Sequence, residues 1–278
     1  MSVILNLQDI KYTYGDGTQA LRGVSFNVSK GERVAVLGAN GSGKSTLFLC
    51  LNGVYKPSGG NIMFEEKPVS YDKKGLTEMR KNVGIVFQDP ETQLFCVDVY
   101  QEVAFGPYNL RYSHEQVHEC VDKALNALDL KELSDKPPHF LSGGQKKRVS
   151  VAAVLSMSPK VILFDEPTSA LDPLHARQLM EEIDSLSNAG ITILIATHDV
   201  DMAYEWADKI LVLDNGVVRA AGTPTEIFSS DELLHETGLK TPAVLSTYSA
   251  LTAAGLLPLG KPPCSQSELL ERIKGYKA

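Results

Sequence analysis

Gly38-Ala39-Asn40-Gly41-Ser42-Gly43-Lys44-Ser45 sets three glycines, a lysine and two hydroxyl residues in eight positions. The spacing Gly-x-x-x-x-Gly-Lys-Ser/Thr suits the holding of phosphates. Phosphates concentrate negative charge, and backbone N–H groups wrap them closely only where side chains stay clear. A helix starting at Lys44 points its positive end at the same place. Lys44 is expected to reach the terminal phosphates, Ser45 to set its hydroxyl on Mg²⁺, and Thr46 to continue the nucleotide-binding run. Val161-Ile162-Leu163-Phe164-Asp165-Glu166 ends an apolar run in two acids. Adjacent carboxylates at a buried strand end are unfavourable unless a cation meets them. Mg²⁺ on a nucleoside triphosphate is such a cation. Asp165 is expected to hold its shell, with Glu166 facing the other way, free to orient or deprotonate an attacking water. His198 follows a second apolar run, Ile191–Thr197, where ligands bind in parallel sheets, and is assigned to the γ-phosphate.

A second nest of small residues, Leu141-Ser142-Gly143-Gly144-Gln145, precedes another helix. It too offers bare N–H groups at a helix start. Two cradles in one chain leave two arrangements open. Either the chain binds two nucleotides, or the second cradle closes over a neighbour's.

The elements between these motifs alternate. Strands are expected at Val3–Tyr14, Leu21–Val28, Arg33–Leu37, Val83–Phe87, Val161–Phe164, Ile191–Ala196 and Ile210–Leu213. Helices are expected at Lys44–Asn52, Ser113–Leu128, Gly144–Met157 and Leu174–Ala189. That order predicts an α/β core with a largely parallel sheet. Residues 89–157 read as a helical insertion between two strands. After Ser230, short helices broken by Pro242, Pro258, Pro262 and Pro263 mark a small appended domain, 231–278. Within it, Leu233, Leu234 and Leu239 suit packing on the main domain. Val244, Leu245, Leu251, Leu256 and Leu257 suit contact with a second copy.

The chain has 278 residues and a net charge of −7, which argues against nucleic acid as a partner. It shows no secretory signal and no apolar run of the roughly 18 residues a membrane span needs, so a cytoplasmic location is expected. The four cysteines, 50, 96, 120 and 264, form no Cys-x-x-Cys pair and read as reduced thiols. His114 and His118 lie one helical turn apart beside Glu115 and Glu119, a composition shared by metal sites and solvated helix faces.

The phosphate loop, Leu141–Gln145, Leu163-Phe164-Asp165-Glu166-Pro167 and His198 occur in the order of ABC-type ATPases, and residues 3 to about 230 resemble that family. The resemblance implies a P-loop NTPase core, with Gln88 as its Q-loop residue, beside the metal and the attacking water. It makes Ser169-Ala170-Leu171-Asp172 the D-loop, and Tyr14, more than Tyr12, the aromatic that stacks on adenine. It implies head-to-tail pairing, as a homodimer or with a related chain. Each ATP would meet the P-loop of one chain and Ser142, Gly143, Gly144 and Gln145 of the other.

The chain has one cassette, no long coiled coil and no fused membrane domain, which suits a subunit driving a separate membrane protein. Asp89-Pro90-Glu91-Thr92-Gln93-Leu94-Phe95 and Val103-Ala104-Phe105-Gly106-Pro107 resemble the energy-coupling-factor importers. There a membrane scaffold sets short helices against the ATPase, next to substrate-capture membrane subunits. Leu94, Phe95, Val99 and Phe105 suit either that docking groove or the core of the helical insertion, and the first reading implies a peripheral place on the cytoplasmic face of the membrane. Phe64–Tyr71, Lys74–Leu76, Gln145–Val149, Gly238–Pro242 and Leu257–Leu259 resemble the cobalt import ATPases (the CbiO type). A shared ATPase for vitamin or nickel importers, or a soluble ATPase without a transport role, are the alternatives.

Overall fold

A computed structural model describes residues 2–276. The chain opens with two long strands, β1 (Val3–Thr13) and β2 (Gln19–Ser29). The apolar strand β3 (Arg33–Leu37) runs into the glycine loop and helix α1 (Lys44–Leu51). Next come β4 (Gly59–Phe64), β5 (Lys67–Pro68), α2 (Lys73–Asn82) and β6 (Val83–Val86). The helical arm holds α3 (Val99–Asn109), α4 (His114–Ala127) and α5 (Gly143–Leu155). The core resumes with β7 (Val161–Asp165), α6 (Pro173–Asn188), β8 (Thr192–Thr197), α7 (Val200–Trp206), β9 (Lys209–Asp214) and β10 (Val217–Gly222). The last helices are α8 (Pro224–Phe228), α9 (Asp231–Thr237), α10 (Ala243–Ala253) and α11 (Gln266–Gly275).

The central sheet has the order β10-β9-β3-β8-β7-β6. Its strands are parallel except for the edge hairpin of β9 and β10. Both faces are covered, so β3, β7 and β8 read as continuous apolar runs rather than alternating ones. Along β7, Ile162 and Phe164 face the core formed with the helical arm and α6. Val161 and Leu163 face the core formed with α1, β1 and β2. The sequence indicated this α/β core and its helical insertion. It did not indicate that β1, β2, β4 and β5 form a separate antiparallel sheet, in the order β2-β1-β4-β5.

Arm helices start on strong caps. The Asp98 side chain accepts from Gln101 N before α3, and Ser113–Gln116 and Ser142–Gln145 form reciprocal capping boxes before α4 and α5. Such a cap is typically worth about 1 kcal/mol. The α5 end is tied to α3 by Ser156 Oγ, which donates to Val103 O at 2.8 Å.

Residues 231–276 do not stand apart from the core. Leu234 and Leu245 are buried in the cluster that covers the central sheet, with Leu233, Leu239 and Val244 packed against it. Tyr248, Leu257 and Leu269 form a small cluster of their own, flanked by Val244 and Leu251. Asp201 on α7 accepts from Ala243 N at 2.6 Å, and Tyr204 Oη donates to Pro263 O at 3.1 Å. Of the five residues expected to meet a second copy, Leu245 and Leu257 are therefore consumed within this chain. A segment this short buries its apolar side chains on whatever core is nearest. Leu256 and Leu259 remain exposed, at 56% and 90%.

Arg148 on α5 lies 4.0 Å from Glu182 on α6, the charged link between arm and core. Burial holds the Glu182 carboxyl up at about 7, against the opposing pull of Arg148, and its Oε2 is buried without a hydrogen bond. The folded chain thus keeps this proton to about pH 7, whereas the unfolded chain releases it near 4.5. The native state binds more protons across that window, so stability falls as pH rises through it. Glu182→Gln cannot ionise. It is expected to match wild type in urea melts near pH 5 and to exceed it by about 1–2 kcal/mol near pH 8, a figure reduced for the partial exposure of the pair. An equal effect at both pH values would show that Glu182 ionisation does not limit stability.

Candidate active site

Strand register brings the predicted residues to one edge. Leu37 pairs with Thr197, Asp165 with Ala196, and Val86 with Phe164. The four parallel strands β3, β8, β7 and β6 therefore end level. Gly38, His198, Asp165–Glu166 and Gln88 leave from the same C-terminal edge, the usual ligand side of such sheets.

Gly43 caps α1 in the left-handed region at φ 107°, and a Cβ there would lie 2.7 Å from Ala20 O. Gly38 needs glycine for a different reason: a Cβ would fall 2.2 Å from Leu213 O on β9. Ala39, Asn40 and Gly41 form the loop's exposed face, while Ser42 is buried. Lys44 lies back over its own loop, its Nζ donating to Gly38 O at 2.7 Å and Ala39 O at 3.2 Å. The same nitrogen is 4.0 Å from Glu166 Oε1. Burial lowers the Lys44 pKa, and the charges of Glu166 and Asp165 oppose that shift.

Asp165 is 7% exposed and ends β7. Burial raises its carboxyl above the usual carboxylate range, with the Ser45 hydroxyl acting against the shift. Its Oδ1 is buried with no hydrogen-bond partner. Glu166 has left the strand, at φ 44°, and its N–H donates to Ala196 O at 2.9 Å. Its carboxylate accepts from His198 Nδ1 at 3.0 and 3.1 Å. A carboxylate only accepts, so Nδ1 carries the proton. Gln88 Nε2 donates to Ser169 Oγ at 3.1 Å, joining Gln88 to the segment after Glu166.

A cavity of about 460 Å³ opens over this edge. Asn40, Gly41, Gly43, Lys44, Ser45 and Thr46 line one side, and Gln88, Asp165 and Glu166 the other. Tyr14 reaches it and shares a 2.7 Å hydrogen bond with Thr46 Oγ1. Tyr12 is instead stacked on Tyr55 at 4.8 Å, which separates the two tyrosines by position. Arg22 and Asn215 also line the cavity, and neither lies in a motif. Asn215 belongs to the β9–β10 turn, whose Gly216 N donates to Ser42 O at 2.9 Å. An orphaned carboxylate oxygen beside a hydroxyl and an amide suits a hard, oxygen-seeking cation.

Ser142, Gly143, Gly144 and Gln145 do not line this cavity. They lie at the start of α5 in the arm, where a Cβ on Gly143 would meet nothing within 4 Å. Gln145 was grouped with the phosphate binders, but its side chain serves the helix cap, Oε1 accepting from Ser142 N at 3.0 Å. Among the described residues no cluster of three or more His, Cys, Asp and Glu could hold a metal, and His118 instead lies beside Tyr100, ring centroids 6.4 Å apart.

The expected docking residues divide. Val99 is fully buried, because it starts α3 on the face turned to the core. Leu94 is half-buried, while Phe95 and Phe105 are exposed and meet edge to face at 4.8 Å. These two line a groove of about 410 Å³, together with Thr77, Arg80, Ile85 and Met157. Glu102, 3% exposed, fixes the near wall by accepting from Phe95 N and Cys96 N at 2.8 and 2.7 Å.

A phosphate loop, paired strand-end acids and a separate glycine nest on a helical arm together define an ATP-binding cassette. Residues 21–169 match the ABC transporter family, to which this chain belongs, and it is an ATPase. Within the family it groups with the ATP-binding subunits of energy-coupling factor transporters. Such a subunit, EcfA of Methanococcus maripaludis, is 48% identical over 87% of this chain and 87% of its own length. An ABC transporter ATP-binding protein of Methanosarcina mazei is 47% identical over 98% of this chain, which spans 60% of that relative. The structure of cbiO1 from Clostridium perfringens, described as part of the ABC transporter complex cbiONQ, aligns at TM-score 0.76 and 43% identity. It covers 91% of this chain and 100% of its own. A dimeric post-hydrolysis cassette bound to ADP and Pi aligns at TM-score 0.71 and 29% identity, over 80% of this chain and 99% of its own. No helix among the described residues is long and apolar enough to cross a membrane.

Proposed function

We propose that this chain works as one of a head-to-tail pair, whose ATP hydrolysis drives import through an energy-coupling-factor membrane scaffold. The observation that carries the pairing is the separation of the two cradles: Ser142–Gly144 lie outside the cavity lined by Lys44 and Asp165. A nest whose glycine N–H groups stand open at a helix start, away from the chain's own phosphate loop, is suited to serve as a half-site. The similar cassette that is dimeric with ADP and Pi supports this reading. The second copy is either identical or a related chain.

In each site the loop Gly38–Thr46 wraps the phosphates, and Tyr14 packs on the base. Mg²⁺ would be held by Asp165, Ser45 and Gln88 and would neutralise charge on the phosphates. Lys44 moves from its own carbonyls to the β- and γ-phosphates. Glu166 accepts the proton of the attacking water. His198 holds that carboxylate through Nδ1–H, and in the doubly protonated ring its Nε2–H donates to the γ-phosphate. Gly143 and Gly144 of the second copy close the site with backbone N–H groups and Ser142 with its hydroxyl, its own N–H being held by Gln145, which contributes through the cap it forms. The exposed Leu256 and Leu259 of the tail add contact between copies.

The groove of Phe95 and Phe105 suits a short apolar helix of a scaffold protein, which supports a peripheral site for the pair on the cytoplasmic face of the membrane. Similarity to a subunit described as part of cbiONQ supports the same reading. Co²⁺ is the proposed cargo, on the stretches resembling the cobalt import ATPases, with substrate-capture membrane subunits taking up the ion.

Glu166→Gln keeps the shape of the site and removes the base. It is expected to bind ATP, to accumulate as a closed pair in light scattering, and to lose about 100-fold or more in kcat. Lys44→Ala is expected to weaken binding of a fluorescent ATP analogue by about 10-fold or more, the loss of a charged phosphate contact. Turnover near wild type in Glu166→Gln would end its role as base. Leu259→Asp should reduce self-association without nucleotide; unchanged association would remove the tail from the interface. In cells lacking the chain, uptake of radiolabelled Co²⁺ is expected to return with wild type and not with Glu166→Gln. Uptake indifferent to both would discard cobalt and turn the test to vitamins and nickel.

A further inference from the structure

Helix α5 carries the glycine nest at its start, yet its second turn points a cation inward. Lys147 is 2% exposed. Its Nζ donates to Phe87 O at 2.6 Å and Gln88 O at 2.9 Å. Both carbonyls lie just past the last ladder residue of β6, Val86. The neighbouring Phe87 N–H is also held from the arm side: it donates to Gln93 Oε1 at 3.1 Å, and Gln93 Nε2 donates to Ser150 O of α5 at 3.1 Å. Lys146 adds an ion pair to Glu91 at 2.5 Å. Where sheet pairing stops, side chains on or bound to α5 take over the backbone of 87–88.

A buried ammonium is unfavourable, and an apolar residue of similar length would fill the same space without that penalty. The charges of Asp165 and Asp89 offset part of it. Among the described residues the two hydrogen-bond acceptors of this ammonium are backbone carbonyls, on the segment that bears Gln88. The arrangement makes one body of two parts that the pairing reading assigns to different sites, Gln88 at the chain's own nucleotide and Ser142–Gly144 at the neighbour's.

We infer that Lys147 is a positioning residue, whose clamp on the carbonyls of Phe87 and Gln88 fixes the α5 nest relative to Gln88, so that neither site assembles without the other. This rests on the paired-site reading proposed above. Lys147 touches no phosphate; it acts through Gln88 and through α5.

Lys147→Met keeps length and removes the donors, and Lys147→Arg keeps donors and charge. For the intact chain, Lys147→Met is expected to lower kcat about 10-fold or more while KM for ATP and fluorescent-nucleotide affinity move less than about 3-fold. In the Glu166→Gln background it should reduce the ATP-trapped pair, and Lys147→Arg should restore at least about half of kcat. A merely structural role would lower stability and nucleotide affinity together, with no rescue by arginine. Folded Lys147→Met with kcat within about 2-fold of wild type would overturn the inference. If Lys147→Met does not fold, Gln93→Ala, which releases the same segment from its other tether, must show a kcat loss at constant nucleotide affinity, or the inference falls. Failure of Glu166→Gln alone to trap a pair would instead refute the pairing reading, while the split between kcat and KM still judges the clamp.

Discussion

Covering the central parallel sheet on both faces is the constraint on which the rest of this structure depends. With apolar cores above and below, β3, β7 and β8 have no room for polar side chains along their length. Polar chemistry is driven to the strand ends, where backbone groups are unpaired and water or ligand can reach them. Level register does the rest: Leu37, Asp165 and Thr197 stop together, so residues far apart in the chain meet over one cavity.

That edge carries an unusual density of half-desolvated charge. Lys44 and Asp165 are both nearly buried, and burial shifts both toward their neutral forms. Lys147 lies just beneath, its pKa brought down to about 8 by burial. Each group is partly offset by the others rather than by a single partner. Such a cluster is poised for a ligand that brings its own charges, as a nucleotide and its cation do. The contact of Lys44 with its own loop carbonyls satisfies the ammonium within the chain.

How much of this was legible in the sequence follows from how local each cause is. The glycine loop and the acids at the end of β7 are set by neighbours a few residues away, and they lie where the spacing placed them. The antiparallel sheet was not legible, because β4 is short and only partly buried, β5 has two residues, and the pairing that joins β1 to β4 links stretches far apart in the chain. Leu245 was misassigned to a surface, and Val99 left between core and groove, for a related reason: an apolar residue on a short helix looks the same whether it faces its own core or another chain. Gln145 had a visible competing use, since Ser-x-x-Gln is itself a capping signal. The resemblance ranked Tyr14 above Tyr12, and the stack of Tyr12 on Tyr55 gives a physical reason that is visible only in three dimensions. Arg22 and Asn215 carry no motif and reach the cavity through tertiary packing alone.

The docking of the tail on α7 bears on how the molecule comes apart. Leu234 and Leu245 share one cluster with Phe164 of the sheet, and Tyr204 and Asp201 bind the tail's backbone. Opening the tail alone would wet that cluster and strand two hydrogen-bonding groups. Tail and cassette are therefore expected to unfold as a single cooperative unit, with native-state hydrogen exchange in α7 and α10 following the same opening.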